Sequence, residues 1–170
     1  SADPAYIFGN TGGLVGSNTG VIRDCYSTNS VVSGRYAGGI AAVNAGRVAN
    51  CYSSGEITAS QCGGLVYRNE KGATIENCYF TGTTSSGAGL GVYNAGWAEN
   101  CYYINGTGGF LRLEAGGSSA GVLRVDAVNQ EQRQNLNFDE SVWKDNGTLK
   151  EEILAYVEAD FERTAAALNV

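Results

Sequence analysis

Five cysteines are the residues of this chain with the most versatile chemistry, and four of them stand directly before a tyrosine. A thiolate can act as a nucleophile, bind zinc or form a disulfide. The chain of 170 residues has no histidine, which excludes Cys-His and Ser-His-Asp catalysis and histidine-based metal sites. The four pairs are Cys25-Tyr26, Cys51-Tyr52, Cys78-Tyr79 and Cys101-Tyr102.

These pairs belong to a repeat of about 25 residues. Each copy has a glycine pair or near-pair, a small apolar patch, an asparagine and a second glycine before the cysteine. A glycine-rich stretch can also cradle a phosphate, but here the glycines recur in every copy, and neither a basic residue nor a helix start follows them. The asparagines are Asn18, Asn44, Asn69 and Asn94, at steps of 26, 25 and 25 residues.

The apolar stretches within each copy are short and rich in Val, Ile and Tyr, with turn-forming residues between them, which indicates short strands. A unit this small cannot bury its own apolar face, so neighbouring copies must stack. We therefore predict a mainly β fold, a short parallel β-solenoid of about four coils over residues 12–108. An N-terminal cap or first strand over residues 1–11 and a small mixed α/β cap over residues 109–170 complete the chain.

The C-terminal cap is predicted to contain two strands and two helices. Alternating apolar and polar residues flank a Gly-Gly-Ser-Ser turn beyond Gly109, and a short helix is expected over residues 126–136. Thr148 and Glu151 form a capping box at the start of the final helix, whose apolar residues recur at helical spacing. That helix either packs on the solenoid or leads to a neighbouring domain or an oligomer contact.

Stacked coils would bring equivalent side chains into columns about 4.8 Å apart along the axis. Stacked asparagines can satisfy each other's donors and acceptors, so the four repeat asparagines predict an amide ladder at a turn. A second ladder is expected from Asp24, Asn50, Asn77 and Asn100. The column Cys25, Cys51, Cys78 and Cys101 does not converge on one point, so we predict buried free thiols and no metal site.

The tyrosine beside each cysteine should point to the opposite face of its strand. Tyr26, Tyr52, Tyr79 and Tyr102 would then form an aromatic stripe outside the core. Two alternatives remain for this stripe. It could be an exposed ligand surface that stacks on sugar rings, or it could fix the coil register, lying along itself or under the C-terminal segment.

Carboxylates are few in the repeats, and no group of them indicates an active site. Glu76 and Glu99 precede equivalent asparagines and could share one face, as paired acids do in polysaccharide-cleaving enzymes. A solvated edge is the simpler interpretation. We therefore predict no catalytic residue, no cofactor and no enzymatic activity.

The charge balance argues against a nucleic-acid partner. The formal net charge is -6, with 11 Lys+Arg against 17 Asp+Glu, and no basic patch is visible. No apolar run approaches the roughly 20 residues of a membrane span, and the first residues lack the basic region and apolar core of a signal peptide. We expect this chain to be a fragment of a larger parent protein with further domains.

The stretch GGLVGSNTGVIRDCYSTNSVVSG, from Gly12, resembles the GLUG repeat of bacterial surface and adhesin-like proteins, which also occurs outside the catalytic part of IgA-cleaving metalloproteases. Residues 13–16, Gly-Leu-Val-Gly, carry the motif intact, whereas the second copy has Ala42 and the third Tyr67 where the last glycine would stand. The resemblance implies a secreted or cell-surface, non-enzymatic setting.

Together these observations favour a non-enzymatic structural or adhesive module of a bacterial cell-surface or secreted protein. Such a module would present a rigid repeat surface to a host extracellular protein or glycan. The alternatives are a carbohydrate-binding module that uses an exposed tyrosine stripe, and a passive spacer next to a catalytic domain.

Overall fold

The computed structural model describes residues 9–128, then Gln132, Asn135, Leu136 and Phe138, and the backbone of two short strands further on. The chain is mainly β and forms a parallel β-solenoid of about five turns. In chain order the strands are β1 (Asn10–Gly12), β2 (Val15–Asn18), β3 (Val21–Arg23), β4 (Tyr26–Ser27), β5 (Val31–Val32), β6 (Tyr36–Gly38), β7 (Ala41–Asn44), β8 (Arg47–Ala49), β9 (Tyr52–Ser53), β10 (Glu56–Thr58), β11 (Gln61–Gly63), β12 (Val66–Asn69), β13 (Thr74–Phe80), β14 (Thr83–Thr84), β15 (Ala88–Asn94), β16 (Trp97–Tyr103), β17 (Gly108–Leu113), β18 (Val122–Arg124), β19 (Trp143–Lys144) and β20 (Ile153–Leu154).

The first three coils each contribute strands to three parallel sheets, and the later coils contribute to two of them. The first sheet takes the strands around each glycine pair, in the order β1-β6-β11-β15-β12-β7-β2 with β17 paired to β15. The second sheet takes the strands that carry the Cys-Tyr pairs, and the third is the short stack β14-β10-β5. Equivalent repeat residues are direct neighbours, as Cys78 and Cys101 show in the second sheet.

The solenoid has one turn more than the four predicted. β17 pairs in parallel with β15, and β18 pairs in parallel with β16, so residues assigned from sequence to the cap continue the stack. At the other end, Asn10–Gly12 pairs in register with Tyr36–Gly38 and so forms the first strand of the first coil.

The interior is a single column of small and branched side chains. Ile40, Leu65 and Leu90 come from successive coils and have no exposed surface. Cys51, Cys78 and Cys101 pack in the same cluster. The core is therefore built from Ile, Val, Leu and Cys residues that recur at equivalent places in successive coils.

The second glycine of each pair marks a place where the backbone approaches another coil. A Cβ on Gly39 would lie 2.1 Å from the Gly64 carbonyl oxygen and 2.3 Å from Ser53 Oγ. A Cβ on Gly64 would lie 2.2 Å from a ring carbon of Phe80. Any side chain here would overlap the second sheet, so glycine is required for packing.

The structure does not show the two helices that the sequence predicts for the C-terminal cap. Asp126, Ala127 and Val128 are not helical, although the Leu136 amide donates to the Gln132 carbonyl over 3.1 Å as in a helical turn. Most residues of the final predicted helix lie outside the described residues. The exceptions, Ile153 and Leu154, form β20, which is antiparallel to β19.

Candidate functional site

The repeat asparagines form a continuous amide ladder through the described coils. Asn18, Asn44 and Asn69 each donate from Nδ2 to Oδ1 of the next asparagine over 2.8 Å. Asn94 ends the ladder by donating to the Ser118 carbonyl over 2.7 Å. Asn44, Asn69 and Asn94 are fully buried. The ladder therefore provides the hydrogen-bond partners that bulk water provides for an exposed amide.

A second ladder precedes the cysteines and runs in the opposite direction. Asn100 donates to Asn77 over 2.6 Å, Asn77 to Asn50 over 3.2 Å, and Asn50 to Asp24 over 3.1 Å. Asp24 is the last acceptor because a carboxylate has no N–H to donate. All four residues have positive φ, between 47° and 55°, which asparagine and aspartate tolerate better than other non-glycine residues.

The four repeat cysteines lie in one column inside the core and are all free thiols. Cys51, Cys78 and Cys101 are fully buried, whereas Cys25 in the first coil is half-buried. Each Sγ donates to the carbonyl two residues before it, over 3.0 to 3.1 Å. Burial raises the pKa of the Cys78 thiol well above its ordinary value.

Cys62 is a separate buried thiol. Its Sγ lies 3.3 Å from the Ile57 carbonyl oxygen and 3.3 Å from Ser85 Oγ. Within the described part of the chain, no group of three or more cysteine and acidic side chains could hold a metal ion. The geometry of the thiols is therefore that of packing groups with local hydrogen bonds.

The tyrosine column lies opposite the cysteines but is covered. The Tyr26 and Tyr52 rings stack at 5.2 Å, and the Tyr52 and Tyr79 rings at 4.7 Å with their planes 3° apart. Tyr52 and Tyr79 have no exposed surface, and Tyr102 has 5%. Of the two alternatives for this stripe, the exposed ligand surface is therefore wrong for these three tyrosines.

The cover of this column comes from residues beyond the repeats. Leu136 is fully buried in the same cluster, where the partly buried Val125, Val128 and Phe138 also pack. The Phe138 ring lies 5.8 Å from that of Tyr79. These contacts place the C-terminal segment over the tyrosines and give the column a packing role.

The carboxylates of the repeats are held by arginines or exposed. Glu76 and Glu99 are in register on β13 and β16, so they share a face. Glu76 forms an ion pair with Arg47. This ion pair favours a structural role for the Glu76 carboxylate.

Three tyrosines that the repeat alignment does not bring together meet on the first sheet. The half-buried Tyr36 and Tyr67 rings stack at 4.2 Å with planes 12° apart, and the Tyr93 ring meets Tyr67 edge-on at 5.6 Å. Burial and the neighbouring Tyr36 raise the pKa of Tyr67 to about 12, so its hydroxyl is a neutral donor at ordinary pH.

Arginines extend this group at both ends. The Arg35 guanidinium carbon lies 4.8 Å from the centre of the Tyr36 ring. The Arg112 guanidinium carbon lies 5.4 Å from the centre of the Tyr93 ring, and its Nη1 donates to the Tyr93 hydroxyl over 3.2 Å. We call this set the Tyr-Arg row; it consists of Arg35, Tyr36, Tyr67, Arg68, Tyr93 and Arg112.

The three arginines of the row differ in their ionic partners. Arg68 is half-buried and bonded to Glu70 over 3.0 Å and to both carboxylate oxygens of Glu114, over 3.2 and 2.7 Å. Arg35 and Arg112 are exposed, and no carboxylate among the described residues forms an ion pair with either. Arg68 with its two carboxylates therefore gives the row a centre that is negative by one charge, and Arg35 and Arg112 give it a positive charge at each end.

Comparison with known protein families gives two matches, side by side. Residues 9–32 and residues 33–58 each match the family model described as the GLUG motif. The chain carries two adjacent GLUG motifs. No curated protein and no solved structure matches the chain.

The two matched segments show what a GLUG motif is in three dimensions. Residues 9–32 contain β1 to β5 and residues 33–58 contain β6 to β10, so each GLUG motif is one complete solenoid coil. The third and fourth coils lie beyond the matched residues but keep Asn69 and Asn94 of the ladder. The ladder therefore continues the GLUG architecture where the motif itself has diverged.

The Tyr-Arg row is the feature that repeat alignment missed. Tyr36 is in register with Gln61, six residues before Tyr67, so the two tyrosines are not repeat equivalents. Six extended residues would span about 20 Å, and the 4.2 Å between the rings shows that the chain folds back at the Gly63–Gly64 pair of the GLUG coil. The only signal in the sequence is the dipeptides Arg35-Tyr36 and Tyr67-Arg68.

Proposed function

We propose that this GLUG-repeat chain is a non-enzymatic structural and adhesive module of a bacterial cell-surface or secreted protein. It holds a rigid repeat surface toward a host extracellular protein or glycan. The repeat architecture supports the structural part of this proposal, and the resemblance to surface and adhesin-like proteins supports the adhesive part.

The observation that carries the proposal is the set of in-register columns. The Asn18 ladder, the Asp24 ladder and the stacked tyrosines each tie one coil to the next at a separate place on the cross-section. A buried polar ladder also fixes register, because a slip would leave its amides unsatisfied. Side chains on the outside are consequently held at constant spacing, as a binding surface requires.

The state of the thiols is consistent with a location outside the cell. Four of the five cysteines are buried, and burial keeps a thiol out of reach of oxidants in solution. No helix among the described residues is long and apolar enough to cross a membrane. Further domains of a larger parent chain would supply any attachment to the cell.

The test is a binding screen of the purified chain against arrays of glycans and extracellular-matrix proteins. We expect saturable binding to at least one class, unchanged in a variant of a remote exposed residue such as Asn29→Ala. Absence of binding to every member would favour a passive spacer. Hydrolysis of any polysaccharide on the array would contradict the non-enzymatic assignment.

A further inference from the structure

The Tyr-Arg row runs along the solenoid, one member following another from coil to coil. Tyr36 belongs to the second coil, Tyr67 to the third, Tyr93 to the fourth and Arg112 to the fifth. The contacts between neighbours limit the separation of the Arg35 and Arg112 guanidinium groups to at most about 20 Å. The row therefore spans the second to the fifth coil, with aromatic rings between two cations.

The charge of the row differs from that of the chain. The whole chain carries a formal charge of -6. The three arginines of the row outnumber the two carboxylates bound to it, Glu70 and Glu114, which both pair with Arg68, whereas the exposed Arg35 and Arg112 have no carboxylate partner among the described residues. Arg35 and Arg112 thus place two positive charges at the ends of the row on a protein that is acidic as a whole. They indicate a ligand that carries carboxylates, because guanidinium groups bind carboxylates in a planar, bidentate geometry.

The aromatic centre limits the ligand further. Half-buried tyrosine rings offer apolar edges and neutral hydroxyl groups, which suit a ligand that presents both C–H surfaces and hydroxyls. The strands that carry Tyr36 and Tyr67, β6 and β12, are paired on both sides within the first sheet, so neither has a free edge for an added peptide strand. A sugar ring meets these conditions better than an extended peptide.

We propose that the Tyr-Arg row binds an acidic polysaccharide, a linear chain of uronic acid residues laid along the solenoid axis. Carboxylates of the polysaccharide pair with Arg35 and Arg112, and its sugar rings contact Tyr36, Tyr67 and Tyr93. The Arg68 guanidinium carbon lies 5.4 Å from the centre of the Tyr93 ring, and because Arg68 is paired with Glu70 and Glu114 it does not pair with the ligand. This inference rests on the proposed adhesive function and names its ligand class and site.

The experiment measures binding of the purified chain to polygalacturonate by biolayer interferometry. Fully methyl-esterified polygalacturonate, which has the same sugars without the charge, is the ligand control. We expect Arg35→Gln and Arg112→Gln each to weaken binding at least about ten-fold, the loss of one charge-assisted hydrogen bond. Arg124→Gln, an equal charge change at an exposed arginine of the second sheet, should leave binding unchanged.

Several outcomes would overturn the proposal. These are equal binding of the methyl ester, equal binding of poly-L-glutamate, no binding of polygalacturonate, and equal effects of Arg112→Gln and Arg124→Gln. Unfolding midpoints of the variants should match that of the natural chain, since all three arginines are exposed. If the chain does not bind polygalacturonate but binds another member of the array, only the proposed ligand of the Tyr-Arg row is rejected. If it binds no member of the array, the proposed adhesive function is rejected as well.

Discussion

Asn44 and Asn69 lie one coil apart and are joined by a 2.8 Å hydrogen bond from Asn44 Nδ2 to Asn69 Oδ1, and neither residue has any exposed surface. The same Asn44 side chain also donates to the Thr74 carbonyl and accepts from Asn18 Nδ2 and the Gly46 amide. One buried amide thus connects three coils and the turn that follows it.

Replacing Asn44 by alanine should therefore destabilise the solenoid severely. The change removes four hydrogen bonds and leaves Asn69 Oδ1 and the Gly46 amide without these partners in a site that water does not reach. We expect the free energy of unfolding, measured by urea titration, to fall by at least about 3 kcal/mol. The exposed Asn29→Ala is the control and should change it by less than about 0.5 kcal/mol; equal losses would contradict the ladder's role.

The left-handed backbone of the second ladder can be separated from its hydrogen bonds by two changes at Asn77, where φ is 51°. Asn77→Ala and Asn77→Gly both lose the bonds to Asn50 and Asn100. Only alanine also has a Cβ that opposes this conformation, so the glycine variant should be the more stable by about 1 kcal/mol. Thermal unfolding of both variants measures the difference, and an alanine variant of equal stability would show that the backbone is not strained there.

The cover over the tyrosine column predicts an unequal effect of two leucine truncations. Leu136 is fully buried beside Tyr79, whereas Leu123 is 54% exposed on β18. Leu136→Ala should cost about 2–4 kcal/mol of unfolding free energy through the lost contacts and the cavity, and Leu123→Ala less than about 1 kcal/mol. If the two substitutions cost the same, Leu136 does not seal the column in solution.

The parts of the fold that the sequence predicts are those that recur with the period. Asn18, Asn44, Asn69 and Asn94 stand at nearly constant steps, and a side chain kept at one place in every coil must have a stacked neighbour. The fifth coil could not be predicted in this way because β17 and β18 lack a Cys-Tyr pair and are separated by the loop 114–121. Its strands are placed by pairing with β15 and β16, which no local pattern encodes.

The candidate site depends on contacts between positions that the period does not relate. Tyr36 meets Tyr67 only because the chain folds back at a glycine pair, and Tyr52 and Tyr79 are hidden only because Leu136 and Phe138 reach them from outside the repeats. Alternation along a strand places a tyrosine on the outer face, but it cannot tell whether another segment covers that face. Burial by distant residues is decided by tertiary packing.

The buried thiol of Cys78 predicts a loss of stability in alkaline solution. The folded-state pKa of Cys78 lies well above the ordinary 9.0, so the native chain keeps a proton that the unfolded chain releases. The stabilisation is therefore complete below pH 9 and declines as the pH rises above it, by up to about 1.4 kcal/mol per pH unit for one thiol. Urea titrations at pH 8, 9 and 10 measure this slope, which should be smaller for Cys78→Ala; an unchanged slope would assign the effect to other groups.

The glycine pair of the GLUG coil offers the sharpest test of how closely the coils pack. A Cβ on Gly39 would lie 2.1 Å from the Gly64 carbonyl oxygen, which is backbone of the next coil and cannot turn aside. Gly39→Ala should therefore force two coils apart and cost about 3 kcal/mol or more. Gly20 belongs to the first GLUG motif, but a Cβ there would have no neighbour closer than 4.0 Å, so Gly20→Ala should stay within about 1 kcal/mol of the natural chain. Urea titration compares the two variants, and a Gly39→Ala chain as stable as Gly20→Ala would mean that the coils are not held at this separation.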